Sequence, residues 1–276
     1  MHPKNNGICF VGGVSPGHAT DVCIVNGKIY VMNYSKISMF DAETLAYLGS
    51  FGSEGSGDGQ FYSPFSLCSD GQYIYVSDTH NHRIQKFTLT GQFVAKIGSQ
   101  GNGDDQFDQP FGIRYHNGYL YIADTNNARV KIHNASDLSY VDAFTGIGGP
   151  RIAFVDSENN YLVVRAFTEV FIYKLSDKTL VRSQADLVGG WGACLVDGYI
   201  YLSDWSNHSI RKYNYSDFSY VGDYSPGQGS SPGQLSQPFH LYYWQDKNII
   251  LCGNLASPCY VVGITPELEW KVFDLN

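Results

Sequence analysis

Two stretches of this chain are copies of one unit. PFSLCSDGQYIYVSDTHNHRIQKFTLTGQFVAKIG at 64–98 and PFGIRYHNGYLYIADTNNARVKIHNASDLSYVDAFTG at 110–146 keep the same order of apolar runs and turn residues. Each holds four short alternating or apolar runs separated by turn residues, the pattern of a four-stranded antiparallel sheet with strands a to d. Equivalent positions at the end of strand b are Asn33, Asp78, Asp124, Arg165, Asp204 and Gly253, spaced 45, 46, 41, 39 and 49 residues apart. A second echo supports the register: Asp137 to Val141 (DLSYV) recurs as Asp217 to Val221 (DFSYV), both in the turn from strand c into strand d.

A thin sheet of this kind cannot hide both of its apolar faces alone, and repetition every 40 to 50 residues or so solves the problem by stacking sheets radially. The spacing therefore predicts an all-β fold, a six-bladed β-propeller of four-stranded antiparallel blades. Its blades fall at about 14–52, 60–98, 106–146, 149–187, 190–225 and 234–276, in one domain over 1–276. The run Ile8 to Gly13, with residues 8–12 as its strand, is a candidate ring-closing segment, and Glu269 to Phe273 a candidate outer strand for the last blade.

The second unit also carries Gly59-Gln-Phe, then Pro64, then the strand ending at Asp78, then the run from Asn81 to Phe87. In this it resembles the NHL-repeat proteins. Units two and three match that pattern well and unit five (Tyr199 to Tyr213) moderately, while the first, fourth and last follow it mainly by spacing.

Composition narrows the function. With 18 Lys plus Arg against 26 Asp plus Glu the formal net charge is -8, which repels phosphate backbones and anionic membrane surfaces. RNA binding, which the NHL resemblance would allow, needs clustered basic residues, so neither nucleic acid nor membrane is an expected partner. The 30 Gly, 21 Tyr and 16 Phe suit strands and turns, and almost no helix is expected. Cys23, Cys68 and Cys194 fall at equivalent repeat positions and read as small core residues, whereas Cys252 and Cys259 could face each other across a hairpin. No export signal is evident, leaving the cytoplasm or an extracellular or virion surface open, and the four NxS/T sequons from Asn33, Asn134, Asn207 and Asn214 read as chance.

In a propeller the segments before strand a and after strand b share one open face, where function is usually sited. The position ahead of strand a holds Thr20, Phe65, Phe111, Arg151, Trp191 and Phe239. The next residue inward holds Asp21, Ser66, Gly112, Ile152, Gly192 and His240. The aromatic set with its one cation suits stacking on a partner, against a plain reading as channel packing. Connectors Gly52 to Phe61, Gly98 to Phe107 and Gly227 to Leu235 are long, whereas those near Gly149 and Gly189 are short. Arg151, Phe167, Trp191 and Trp205 are therefore the expected accessible contacts, with Phe65, Phe111, Phe239, His240 and Asp21 beside them.

Catalysis finds less support. The NHL resemblance brings to mind zinc-dependent amidating lyases, yet of eight histidines only His240 aligns with the inner wall, and there is no HExxH or paired CxxC. The calcium chemistry of six-bladed lactonases needs a cage of oxygens, and the inner wall offers Asp21 alone; the acidic connectors Glu54 to Asp58 and Asp104 to Asp105 read as too flexible to complete it. Asp78, Asp124 and Asp204 repeat, so they are expected to brace turns rather than react. The sequence thus predicts a non-catalytic binding or assembly module with a protein or carbohydrate partner, no metal and no cofactor. The alternative is a metal-dependent lyase or hydrolase using His240 and Asp21.

Overall fold

The computed structural model describes residues 19–225, 227–228 and 235–253, together with the backbone of 261–264. Five four-stranded antiparallel sheets follow one another, each a simple meander. Their strands are Ala19–Val25, Lys28–Asn33, Lys36–Asp41 and Tyr47–Phe51 in the first, then Ser66–Ser69, Tyr73–Asp78, Arg83–Thr88 and Phe93–Ile97 in the second. The third has Pro110–His116, Tyr119–Asp124, Arg129–Asn134 and Tyr140–Thr145, and the fourth Ile152–Asp156, Tyr161–Arg165, Val170–Lys174 and Leu180–Gln184. The fifth has Ala193–Val196, Tyr199–Asp204, Ser209–Asn214 and Tyr220–Tyr224. The sixth repeat departs from expectation: it forms a three-stranded sheet, Leu241–Trp244, Ile249–Gly253 and Val261–Ile264. Among the described residues five blades are complete, not six; the expected outer strand at Glu269 to Phe273 lies outside them, as do residues 8–12 and Cys259. Helical turns are confined to three single 3-10 turns among the described residues.

Burial falls from inner to outer strand, and this explains the sequence pattern. Strand b of the second blade is buried from Ile74 through Asp78, so its run is nearly continuous in apolar and small residues rather than alternating. Strand d of the same blade alternates, with Val94 44% exposed. Cys23, Cys68 and Cys194 are buried, as recurring small core residues should be, and Cys252 is a buried thiol outside any disulfide.

The chain divides into two compact units, one of residues 34–37 and 50–187, the other of 19–33, 38–49 and 188 onward. In the first, Cys68, Tyr75, Ile113, Leu120 and Leu138 fill the space between the second and third blades. Tyr121, Phe144, Ala153 and Val164 do so between the third and fourth. In the second unit, Val22, Val31, Phe40, Trp244 and Leu251 join the first blade to the sixth-repeat sheet, and Cys194, Tyr201, Leu241 and Cys252 join that sheet to the fifth blade. Within each unit, neighbouring sheets hide their facing sides on one another, which is the packing that the repeat demands.

Two of the long Gly-rich connectors, Gly52 to Phe61 and Gly98 to Phe107, are not loose. Arg83 reaches back into the loop ahead of its own blade, donating from Nη1 to Ser56 O at 2.8 Å and from Nη2 to Gly57 O and Gln60 O at 2.8 and 2.9 Å. Lys131 does the same one blade on, its Nζ 2.6 Å from the carbonyls of Gly103, Asp104 and Gln106. The acidic connectors expected to be flexible are therefore clasped around a cation through backbone oxygens.

Candidate functional site

The repeated aspartates are turn braces. Asp78 accepts from Tyr62 N at 2.8 Å, from Asn81 Nδ2 at 2.9 Å and from Arg83 Nε at 2.7 Å. Asp124 accepts from Asp108 N, Asn127 and Arg129 in the same way, and Asp204 from Asn207 and Arg211. All three aspartates are at most 1% exposed, so they are occupied and inaccessible. The histidines of the NHL runs knit neighbouring loops: His82 Nδ1 accepts from Gln109 N at 3.2 Å and His208 Nδ1 from Gln237 N at 2.9 Å.

The fourth blade breaks this pattern. Where its neighbours carry a buried Asp, it carries Arg165, 1% exposed, and the position taken by Arg83 and Arg129 in the second and third blades is a buried Val170. The repeat alignment held Arg165 only as a marker; its reversed charge was the available signal that this blade end differs.

Within the unit of the second to fourth blades, four predicted residues come together. Phe65 and Phe111 meet edge to face, centroids 4.5 Å apart at 89°. The Arg151 guanidinium carbon sits 5.0 Å from the Phe111 centroid and 5.8 Å from that of Phe167. Phe65 is buried, Phe111 and Arg151 are half-buried, and Phe167 is 40% exposed. Backbone bonds fix the arrangement: Gly112 N donates to Arg151 O at 2.9 Å and Arg151 N to Arg165 O at 2.7 Å. A Cβ on Gly112 would meet Arg151 O at 2.5 Å, so the missing side chain is what permits this approach. Burial pushes the Arg151 pKa below its ordinary value, the mark of a charge partly stripped of water.

In the other unit, three predicted rings form a triad. Trp205 lies edge-on to Phe239 at 5.0 Å and 82°, Trp191 is tilted on Phe239 at 5.9 Å, and the two indoles are 6.1 Å apart at 63°. Phe239 is buried beneath and both indoles are half-exposed. Trp205 N donates to Gly189 O at 2.9 Å, so the short connector holds the ring in place.

His240 and Asp21 lie in the same unit, His240 Nδ1 3.1 Å from Asp21 Oδ2, and both are wholly buried. Asp21 Oδ1 also accepts from Val22 N at 2.9 Å, and His240 N donates to Thr20 O at 3.3 Å. They form a seam between the first and last repeats and offer no surface to a substrate. Among the described residues no three His, Cys, Asp or Glu side chains gather as a metal site.

Solved structures define the class. The chain is similar to Kuenenia stuttgartiensis hydrazine synthase, at 12% identity and a TM-score of 0.66 over 94% of this chain and 98% of that one. It is likewise similar to the β-propeller domain of Myceliophteria thermophila Cps50 (Swd1), at 10% identity and a TM-score of 0.63 over 93% and 99% of the two chains. The fold is therefore an all-β propeller of four-stranded antiparallel blades. Within it residues 61–87, the end of one connector and the first three strands of the second blade, match the profile of the NHL repeat.

Proposed function

We propose that this propeller is a non-catalytic binding module that engages a protein or carbohydrate partner through aromatic side chains at its blade ends. The observation that carries this reading is the ring triad, two half-exposed indoles fixed on a buried Phe239. Tryptophans held rigid in this way lose little entropy on contact and offer large apolar area, which is why they dominate binding hot spots. The lyase or hydrolase alternative is disfavoured by the burial of His240 and Asp21 against each other.

The test is to identify a ligand with the wild-type chain, on a glycan array and among copurifying proteins, and then to measure its affinity for Trp191→Ala and Trp205→Ala. Each change should weaken binding by about tenfold or more, as hot-spot truncations do, with the thermal midpoint nearly unchanged. Unaltered affinity in both variants would place the contact surface elsewhere.

A further inference from the structure

The fourth blade inverts a charge that its neighbours keep. Asp78 and Asp124 end strand b in the second and third blades, and Arg165 takes that place in the fourth. Arg151 is bonded to the same residue through its backbone, so one blade end carries two guanidinium groups in a chain of net charge -8. A residue that departs from the rule of its repeat is where function is expected to be written.

Arg151 is also held for recognition. Phe111 and Phe167 flank its guanidinium at 5.0 and 5.8 Å, and the outer ring is 40% exposed. Aromatic faces favour the cation and fix the plane of its fork, which matches the two oxygens of a carboxylate. The collar around it is apolar where the Phe111 and Phe167 rings flank the guanidinium. Sugar hydroxyls pressed against such a collar would lose water without gaining partners, whereas an Asp or Glu side chain flanked by apolar residues would bury its neighbours and present only its charge.

We infer that Arg151, between Phe111 and Phe167, is a carboxylate-binding site for an acidic residue in an apolar segment of a partner protein. This rests on reading the blade ends as contact surface, and it adds a ligand chemistry to that reading.

The probes are the capped tripeptides Phe-Glu-Phe and Phe-Gln-Phe and a trimer of galacturonate, each titrated into the full chain with the Arg151 side-chain Nε–H followed by NMR. The Glu peptide should shift that signal at millimolar concentration, and the Gln peptide should bind about tenfold more weakly or less, as expected for loss of a charge-assisted pair. Arg151→Lys, which keeps the charge but not the fork, and Phe167→Ala, at an exposed position, should each weaken the Glu peptide by a similar factor while melting like the wild type. Equal binding of the two peptides, an unaffected Arg151→Lys variant, no shift by the Glu peptide, or preference for the galacturonate trimer would overturn the inference. Equal peptide binding that is lost in Phe167→Ala would sink the carboxylate while leaving the contact surface standing.

Discussion

Arg83 Nε donates to Asp78 Oδ2 at 2.7 Å, with the Asp78 side chain 0% and the Arg83 side chain 6% exposed. The same Arg grips three carbonyls of the preceding loop, so one ion pair ties a strand, a turn and a connector together. Removing one partner leaves the other buried and uncompensated. Asp78→Ala should therefore destabilise the fold by about 3–5 kcal/mol, and a double-mutant cycle with Arg83→Met should recover a coupling well above that of a surface pair. Urea unfolding of the four variants measures it; additive effects would show that the pair is not coupled.

Lys131 supplies the pH dependence. It is fully buried, and desolvation first, with Arg129 second, pushes its pKa down to about 8 despite three carbonyl contacts and the nearby Asp124, Asp104 and Asp105. The unfolded chain keeps that proton up to the ordinary 10.5, so between about 8 and 10.5 the unfolded state binds more protons and stability rises with pH. Relative to Lys131→Met, the wild type should gain up to about 3 kcal/mol across that window. Unfolding both proteins at the two ends checks the sign, and a variant that gains on the wild type would show that the carbonyls hold the proton.

Gly192 has a backbone for a neighbour. A Cβ there would lie 2.3 Å from Phe239 O and 2.7 Å from His240 Cα, neither of which can swing aside. Gly192→Ala should cost about 1–3 kcal/mol by overpacking. Because Phe239 carries the indole triad, tryptophan fluorescence should change with it. A melt and emission spectrum like those of the wild type would mean that the strands part easily.

The Tyr75 hydroxyl is buried 2.7 Å from Asp70 Oδ2 and 2.8 Å from Ala135 O, bridging the second and third blades. Tyr75→Phe removes it and should cost about 1–2 kcal/mol in the same unfolding assay, the price of one buried hydrogen bond. Unchanged stability would assign the contact no role.

The sequence disclosed what is periodic. Strand order, the bracing role of Asp78, Asp124 and Asp204, and the meeting of Phe111 with Arg151 all follow from aligning one repeat on the next, since equivalent residues of successive blades face each other. What breaks the period was harder to read. Arg165 serves as a marker of register, its reversed charge is legible, and only the structure shows that this cation is buried. The grip on Arg83 and Lys131 was not legible because backbone carbonyls have no letter in the sequence. The alignment reads Asp21 and His240 as inward-facing, but an alignment carries no depth, and the two prove to be sealed in the core. The last blade was counted from spacing alone, which says nothing of how many strands it completes.

The Tyr242 hydroxyl donates to Ile24 O across 218 residues of chain, beside the contact of Asp21 with His240. Joining segments so remote carries the largest loop-closure entropy, so this suture should form last, after the local meanders and after the folding transition state. Substitutions along it should mainly hasten unfolding, making the suture the point from which the molecule comes undone.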